Sequence, residues 1–356
     1  MPYFGGKSVV AEKVWSRLGS EVGNFVDPFM GSNAMLLGRP GWSPKKKWVE
    51  TVNDKDGYVA NFFRALKADP DKVSHYADNT VNETDKLARH AWLAGKREHI
   101  LSKLEGDPDW YNAKIAGWWV WGIGLWIGGG YCDGKGSWVR VKDANGDWRI
   151  EKKDKKHPDV QNGTGVCKQV PHLSGKGMGV TKQIVSYCLR GVNRNLDKHT
   201  LTKNAGTGEC GLYEWMLVLA SRLEKVRVCC GDWKRVLTPA VTTGSFGTTA
   251  IFFDPPYSNA DRSDVYSNED YTVARKVRKW CKLNGGNEEF RIALCGYAGE
   301  GHEVLESMGW EVYRWEAAGG YGNQGDGAGV VNKKRESIWF SPHCLKEYQS
   351  WKIFQK

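Results

Sequence analysis

The residues with the clearest chemical potential are Asp254-Pro255-Pro256-Tyr257, which directly follow the apolar run Ala250-Ile251-Phe252-Phe253. The two prolines have no amide hydrogen to donate and hold the backbone extended, so a carboxylate and a peptide carbonyl can point outward beside one aromatic ring. Two acceptors and a flat face suit an exocyclic amine on a planar base: each acceptor takes one N–H while the ring stacks on the base. The bland alternative is a strand-ending turn with an Asp cap, and placement straight after a buried strand favours the site. A second candidate is Asp27-Pro28-Phe29-Met30-Gly31-Ser32-Asn33-Ala34, an acidic strand end turning tightly into a helix. Small residues there let backbone amides approach a ligand closely. Asp54 ends the next apolar run. An acid at a strand tip can accept both ribose hydroxyls of a nucleoside-bearing cofactor, although an isolated Asp of this kind also serves as a helix N-cap.

These residues need a scaffold that brings strand ends together. Asn24-Phe25-Val26-Asp27 and the run from Trp48 to Asp54 each end on an acid, and Val59, Phe62, Phe63 and Leu66 then follow at helical spacing. Strand, turn and helix in repetition predict a parallel sheet in an α/β fold. The pattern returns late, with a helix marked by Leu212, Trp215, Met216, Leu219 and Leu223 and a strand at Val226 to Cys230. Further strands are expected at 250–253, 291–295, 310–315 and 336–340. The stretch between these two portions is rich in Gly, Trp and Lys and shows neither helical nor strand periodicity, so it reads as an insertion. At 356 residues the chain is long enough for two domains or one elaborated domain.

The formal net charge is +10, and residues 135–205 alone carry eleven Lys and four Arg against six acids. Such a surplus predicts an anionic partner, nucleic acid first. Trp138, Arg140, Trp148 and Arg149 interleave aromatic and basic residues in polar surroundings and are candidate DNA contacts. The run Lys152-Lys153-Asp154-Lys155-Lys156 is equally consistent with a DNA clamp and with a solvated hairpin tip. Trp118, Trp119, Trp121 and Trp126 have apolar neighbours and are expected in the core. Nine cysteines without a Cys-x-x-Cys pair argue for a reducing compartment and against a zinc site. Residues 115–132 are uncharged, but six glycines, three of them closing the run, argue against a membrane span. The opening Met1 to Lys7 lacks the order of a secretory signal, and a cytoplasmic location is expected.

Taken in order, Pro2-Tyr3-Phe4-Gly5-Gly6-Lys7, Asp27 to Ser32, Asn53-Asp54, Gly231-Asp232-Trp233 and Asp254 to Tyr257 resemble the Dam-like (alpha-group) DNA adenine-N6 methyltransferases. The resemblance covers most of residues 1–70 and 210–343. It implies a Rossmann-like class I methyltransferase sheet formed by residues 1–90 and 212–345, an inserted basic target-recognition domain at 91–211, and a tail at 346–356. It implies S-adenosylmethionine as cofactor, released as S-adenosylhomocysteine, with no metal, and double-stranded DNA as partner to a monomer or weak dimer in a bacterial or phage-infected host. By position, Tyr3, Gly6, Lys7, Asp27, Phe29, Gly31, Ser32, Asp54, Asp232, Trp233 and Asp254 would line the cofactor pocket, with Asp54 on the ribose and Asp232 on the adenine. Asp254, Pro255, Pro256 and Tyr257 would hold the target base. Trp233 stands where the family usually has Phe or Tyr, and Asn33 replaces a glycine of the first turn, a place where Asn tolerates positive φ. Cytosine-N4 transfer shares this geometry, and a DNA-binding protein that has lost transfer is the reading from a different class.

Overall fold

The computed structural model describes residues 7–126, 131–132, 138–146, 148–152, 211–244, 246–257, 272–315 and 336–346. Its centre is a seven-stranded sheet of β1 (Asn24–Asp27), β2 (Val49–Asp54), β5 (Val226–Cys230), β6 (Thr249–Phe253), β7 (Phe290–Tyr297), β8 (Glu311–Arg314) and β9 (Glu336–Phe340). The order across the sheet is β5-β2-β1-β6-β7-β9-β8, and every pairing is parallel except those that β9 makes with β7 and β8. The protein is therefore an α/β fold with a mostly parallel mixed sheet, compatible with a Rossmann-like architecture.

Alternation along the strands explains why both faces are covered. Phe25, Ala250, Phe252, Ala293, Cys295, Ile338 and Phe340 join one hydrophobic cluster, whereas Val26, Ile251, Phe253, Ile292, Leu294 and Trp339 join the other. Successive residues of a strand point to opposite faces, so runs that are apolar at every position demand helices on both sides. Helices α1 (Ala11–Leu18) and α3 (Gly57–Ala68) supply Val14, Trp15, Leu18, Phe62 and Leu66 to the first cluster. Helix α9 (Val273–Asn284) supplies Val277 and Cys281 to the second. The short helices α2 (Ala34–Leu37) and α8 (Pro239–Thr242) and helix α7 (Leu212–Leu223) complete the layers. The strands expected from sequence all form, to within one or two residues.

Residues between the two portions are more regular than their composition suggests. Helix α4 (Pro70–Ala77) is followed by α5 (Glu83–Gly106), which runs unbroken through residue 91, and by α6 (Ala113–Gly124). Asp69, Asn82 and Asn112 cap them by accepting from the amides of Lys72, Asp85 and Ile115. A helix forms at α6 although the sequence shows no helical period there, because the helix is apolar on most of its surface and leaves no polar face to mark it. Gly117 lets it lie against α4: a Cβ there would sit 2.7 Å from the Val73 carbonyl oxygen. Trp119 and Trp121 are buried as expected, while Trp118 and Trp126 are only partly covered. An antiparallel hairpin, β3 (Trp138–Lys142) and β4 (Trp148–Lys152), packs against α5. Among the described residues no helix is long and apolar enough to cross a membrane.

The first part of the chain is locked to the last by a buried charge triad. Glu50 on β2 accepts from Arg39 Nη1 at 3.0 Å and from Arg222 on α7 at 2.7 and 2.9 Å. Burial, with Arg222 close by, lowers the Arg39 pKa to about 10, which still leaves it charged at neutral pH. Removing the shared acid would strand two buried guanidinium groups. Glu50→Gln is therefore expected to cost about 3–5 kcal/mol in urea unfolding, and a loss under 1 kcal/mol, on the order of an exposed pair, would show that the triad is not holding the fold.

Candidate active site

Parallel strands put their C-terminal ends on one edge of the sheet. Connections leave β1 and β6 in opposite directions, which makes the crevice between them the switch point where open α/β sheets bind ligands. Asp27 closes β1, Asp54 closes β2, Asp232 follows β5 and Asp254 follows β6. Because β9 runs antiparallel, its first residue, Glu336, pairs with Tyr297 at the same edge. Sequence reasoning missed Glu336. The strand Glu336–Phe340 was legible, but that its opening acid lands at this edge depends on the reversal of β9.

Asp254 is held through one oxygen. Its Oδ1 lies 3.1 Å from Lys7 Nζ and accepts from the Tyr257 hydroxyl at 3.0 Å. The same ammonium lies 3.8 Å from Glu336 Oε2, which is 3.2 Å from the Tyr257 hydroxyl. Lys7 is only 5 % exposed, and a buried ammonium is tolerated here because two carboxylates face it. No hydrogen bond to Asp254 Oδ2 is found among the described residues, and the Asp254 side chain retains 18 % exposure. The carboxylate is thus clamped on one side and open as an acceptor on the other. Pro255 and Tyr257 are buried, Pro256 half-buried, and the Tyr257 ring meets Tyr297 edge-on at 4.5 Å with Lys7 5.2 Å from its centroid. In this arrangement the face expected to stack on a base is covered.

The turn after β1 is tied to its neighbours by Asn53 and Asp54. Asn53 Nδ2 donates to the carbonyls of Pro28 and Gly231, both at 3.1 Å, and its own carbonyl accepts from Met30 N at 2.9 Å. Asp54 accepts from Gly31 N at 2.9 Å and from Asp56 N at 2.8 Å, leaving lone pairs on both oxygens. Asp56, not Asp54, caps α3. Asn33 adopts φ 60 and ψ 28, so the turn keeps its left-handed residue without the glycine. Asn33 is fully buried, and neither of its amide atoms has a partner. Phe29 stacks on Trp233 at 6.1 Å between ring centroids, and Trp233 is buried. Asp232 is exposed and accepts from Lys234 N at 3.0 Å, so it already caps the short helix Trp233–Val236. Ser32 is half-buried in the turn.

The electrostatics concentrate acids at this edge. Asp254 and Glu336 face the Lys7 ammonium, and Asp27 lies within electrostatic reach of Asp254 and Asp54. Burial, reinforced by Asp254 and Asp54, pushes Asp27 well above the usual carboxylate range even though Phe29 N donates to it. Asp54 is raised to about 7, by burial first and by Asp56 second, against the hydrogen bonds it accepts. Burial also lifts the Cys230 thiol to about 12, so this neighbour is no nucleophile at neutral pH. Among the described residues no group of His, Cys, Asp and Glu is placed to hold a metal ion, and the described cysteines are free thiols.

Other expected site residues are placed less closely. Tyr3 and Gly6 lie outside the described residues, as do Lys153, Lys155 and Lys156. Trp138, Arg140, Trp148, Arg149 and Lys152 all belong to the β3–β4 hairpin. Its register pairs Trp138 with Lys152, Arg140 with Ile150 and Val141 with Arg149, so Arg149 occupies a position on the opposite face from the other four. Of the basic run only Lys152 is described, as the last residue of β4, and the rest of that expectation lies outside the described residues. The alternation Asp143-Ala144-Asn145-Gly146 supplies the turn residues. No family model matches the sequence, and no curated protein matches it significantly.

A carboxyl raised in the folded state binds more protons folded than unfolded, so it lowers stability as pH rises between its unfolded and folded values. For Asp54 that window runs from the ordinary value of 3.8 to about 7. The stability of wild type relative to Asp54→Asn is expected to fall across this window and to level off above it. Urea titrations of both proteins over this pH range check the prediction.

Proposed function

We propose that this chain is a site-specific DNA methyltransferase of the Dam-like class, transferring a methyl group to the exocyclic N6 of an adenine turned out of duplex DNA. The observation that carries the reading is the state of Asp254, clamped at Oδ1 by Lys7 and Tyr257 and open at Oδ2, at the switch point of a mostly parallel sheet. Adenine N6 is a weak nucleophile because its lone pair is delocalised into the ring. Asp254 Oδ2 and the Pro255 carbonyl would each accept a hydrogen bond from one of its two N–H groups and localise that pair on nitrogen, and one of the two protons would leave to solvent once the nitrogen carries the methyl group. This interaction strengthens as the nitrogen becomes tetrahedral, so it acts on the transition state more than on the ground state. Positioning then carries much of the acceleration.

S-adenosylmethionine fits the residues present and would supply an electrophilic methyl on a positively charged sulfur. The acid excess at this edge suits that charge, and the buried, unpartnered Asn33 amide lies in the turn that would face the cofactor. Asp54 would accept from ribose hydroxyls through its remaining lone pairs, and Phe29 with Trp233 would flank the adenine. Since the ring of Tyr257 is covered, its stacking on a base requires the loop to open, at a cost that the extruded base's contacts must offset.

Asp254→Ala is expected to abolish methyl transfer from a labelled donor to duplex DNA while retaining DNA binding; wild-type transfer by this variant would remove Asp254 from the chemistry. Tyr257→Phe keeps the ring and deletes the clamp at Oδ1. It is expected to lower kcat about 10–100-fold, the worth of a hydrogen bond to a charged group, with little change in KM. Mass spectrometry of nucleosides from the treated DNA identifies the base, and N4-methylcytosine in place of N6-methyladenine would correct the target.

A further inference from the structure

Helices α5 and α6 carry a second constellation, away from the Asp254 cluster. Arg89, Trp92 and Lys96 recur at four- and three-residue steps along α5, and Lys114, Trp118 and Trp121 do so along α6. Such spacing lines each set along one face of its helix. The two faces meet: Trp92 packs edge-on against Trp118 at 5.2 Å, and Lys114 Nζ lies 5.0 Å from the Trp92 centroid and 4.4 Å from that of Trp118. Lys96 Nζ lies 5.5 Å from the Trp92 centroid. At the inner end Arg89 covers Trp118 and Trp121 at 5.3 and 4.4 Å, and Trp121 Nε1 donates to the Asn79 carbonyl at 3.0 Å.

The inner end has a structural explanation and the outer end does not. Arg89 shares its charge with Asp85 at 3.7 Å and donates to Asn79 Oδ1 at 2.9 Å. Lys96 and Lys114 form no ion pair among the described residues, although Trp92 between them is 36 % exposed. An exposed cation–indole contact returns only about 0.5–1 kcal/mol, which does not account for holding two unneutralised ammonium groups around one wet indole. An indole with two cations close to its ring matches a nucleic-acid strand, whose phosphates alternate with flat sugar and base surfaces.

The column also stands at the correct end of the molecule. The Tyr58 hydroxyl, at the first turn of α3, donates to the Leu93 carbonyl, and Gly57 packs against Ile100 and Leu101. Since α3 begins just after Asp54, helix α5 crosses the same end of the sheet that carries Asp254. The β3–β4 hairpin packs on α5 as well. We infer that the Trp92, Lys96 and Lys114 face is a DNA-backbone contact that receives duplex flanking the target base. This rests on the nucleic-acid part of the reading above and extends it to a surface outside the basic segment at 135–205.

The test uses the full chain and fluorescence anisotropy with a labelled duplex of about 20 base pairs over a salt series. Each neutralised phosphate contributes about 0.9 to the slope of log K against log salt, so the double variant Lys96→Gln with Lys114→Gln should lose about 1.8 from that slope and bind roughly tenfold or more weakly. Lys96→Arg with Lys114→Arg should restore both. Trp92→Ala should weaken binding on the order of fivefold or more without changing the slope by a full contact. Circular dichroism melts check that each variant is folded, and the exposed Gln pair provides the reading if Trp92→Ala is not. An unchanged slope and affinity in the double variant would overturn the proposal, as would wild type that binds no duplex, which would also remove the DNA reading. Binding of polyglutamate in place of DNA, with the same sensitivity to the variants, would overturn it in favour of an acidic protein partner. Wild type that binds duplex but transfers no methyl group would remove the transferase reading and leave this contact to stand on the variants.

Discussion

Among the described residues, four acids and one ammonium group share the C-terminal edge of the sheet, and this crowding in a desolvated setting is what the rest of the site depends on. Burial first and neighbouring acids second raise the proton affinity of Asp27, beside Asp254 and Asp54, and of Asp54, beside Asp56. Lys7 offsets part of that repulsion by facing Asp254 and Glu336 together. What remains is a cluster of acids whose burial is costly. A folded domain retains such a cost where a ligand relieves it, and this makes the edge a functional candidate rather than a packing accident.

The fold supplies this edge through strand direction. Parallel pairing of β5, β2, β1, β6 and β7 delivers the residues that follow each strand to one side, and the single reversed strand β9 delivers its first residue there instead. The Glu50 triad is remote from this chemistry: it holds Arg39, which follows α2, and Arg222, near the end of α7, against β2. Its acid is fully used in holding the layers, whereas Asp254 is half used. That contrast separates a structural carboxylate from one left able to accept.

Much of this was legible in the sequence because the strands are buried on both faces and read as apolar runs with acids at their ends. The turn at Gly31 to Asn33 was legible too, since few residues other than Asn and Gly accept φ near 60. Three features escaped for different physical reasons. Helix α6 hides its period because it is apolar nearly all round and set with tryptophan and glycine. Glu336 reaches the site by strand reversal, a tertiary fact that no local window encodes. The column of Trp92, Lys96, Lys114 and Trp118 joins two helices whose contributions are each unremarkable alone, and its meaning appears only when the indoles meet across the helix pair.

The clamp at Asp254 also bears on why its loop carries two prolines. A carboxylate gripped by a lysine and a tyrosine would swing if its backbone were free, and the open oxygen would then sample many directions. Pro255 and Pro256 fix two φ angles next to the acid, and the buried ring of Tyr257 anchors the far end of the same four-residue loop. Most of the ordering needed to aim Asp254 Oδ2 is thereby completed during folding while the loop stays closed, and opening it to free the Tyr257 ring would give up the tyrosine half of the clamp. An acceptor aimed in advance does not have to reorient as charge develops, and in a water-poor edge such preorganisation is worth more than an equally strong but mobile contact.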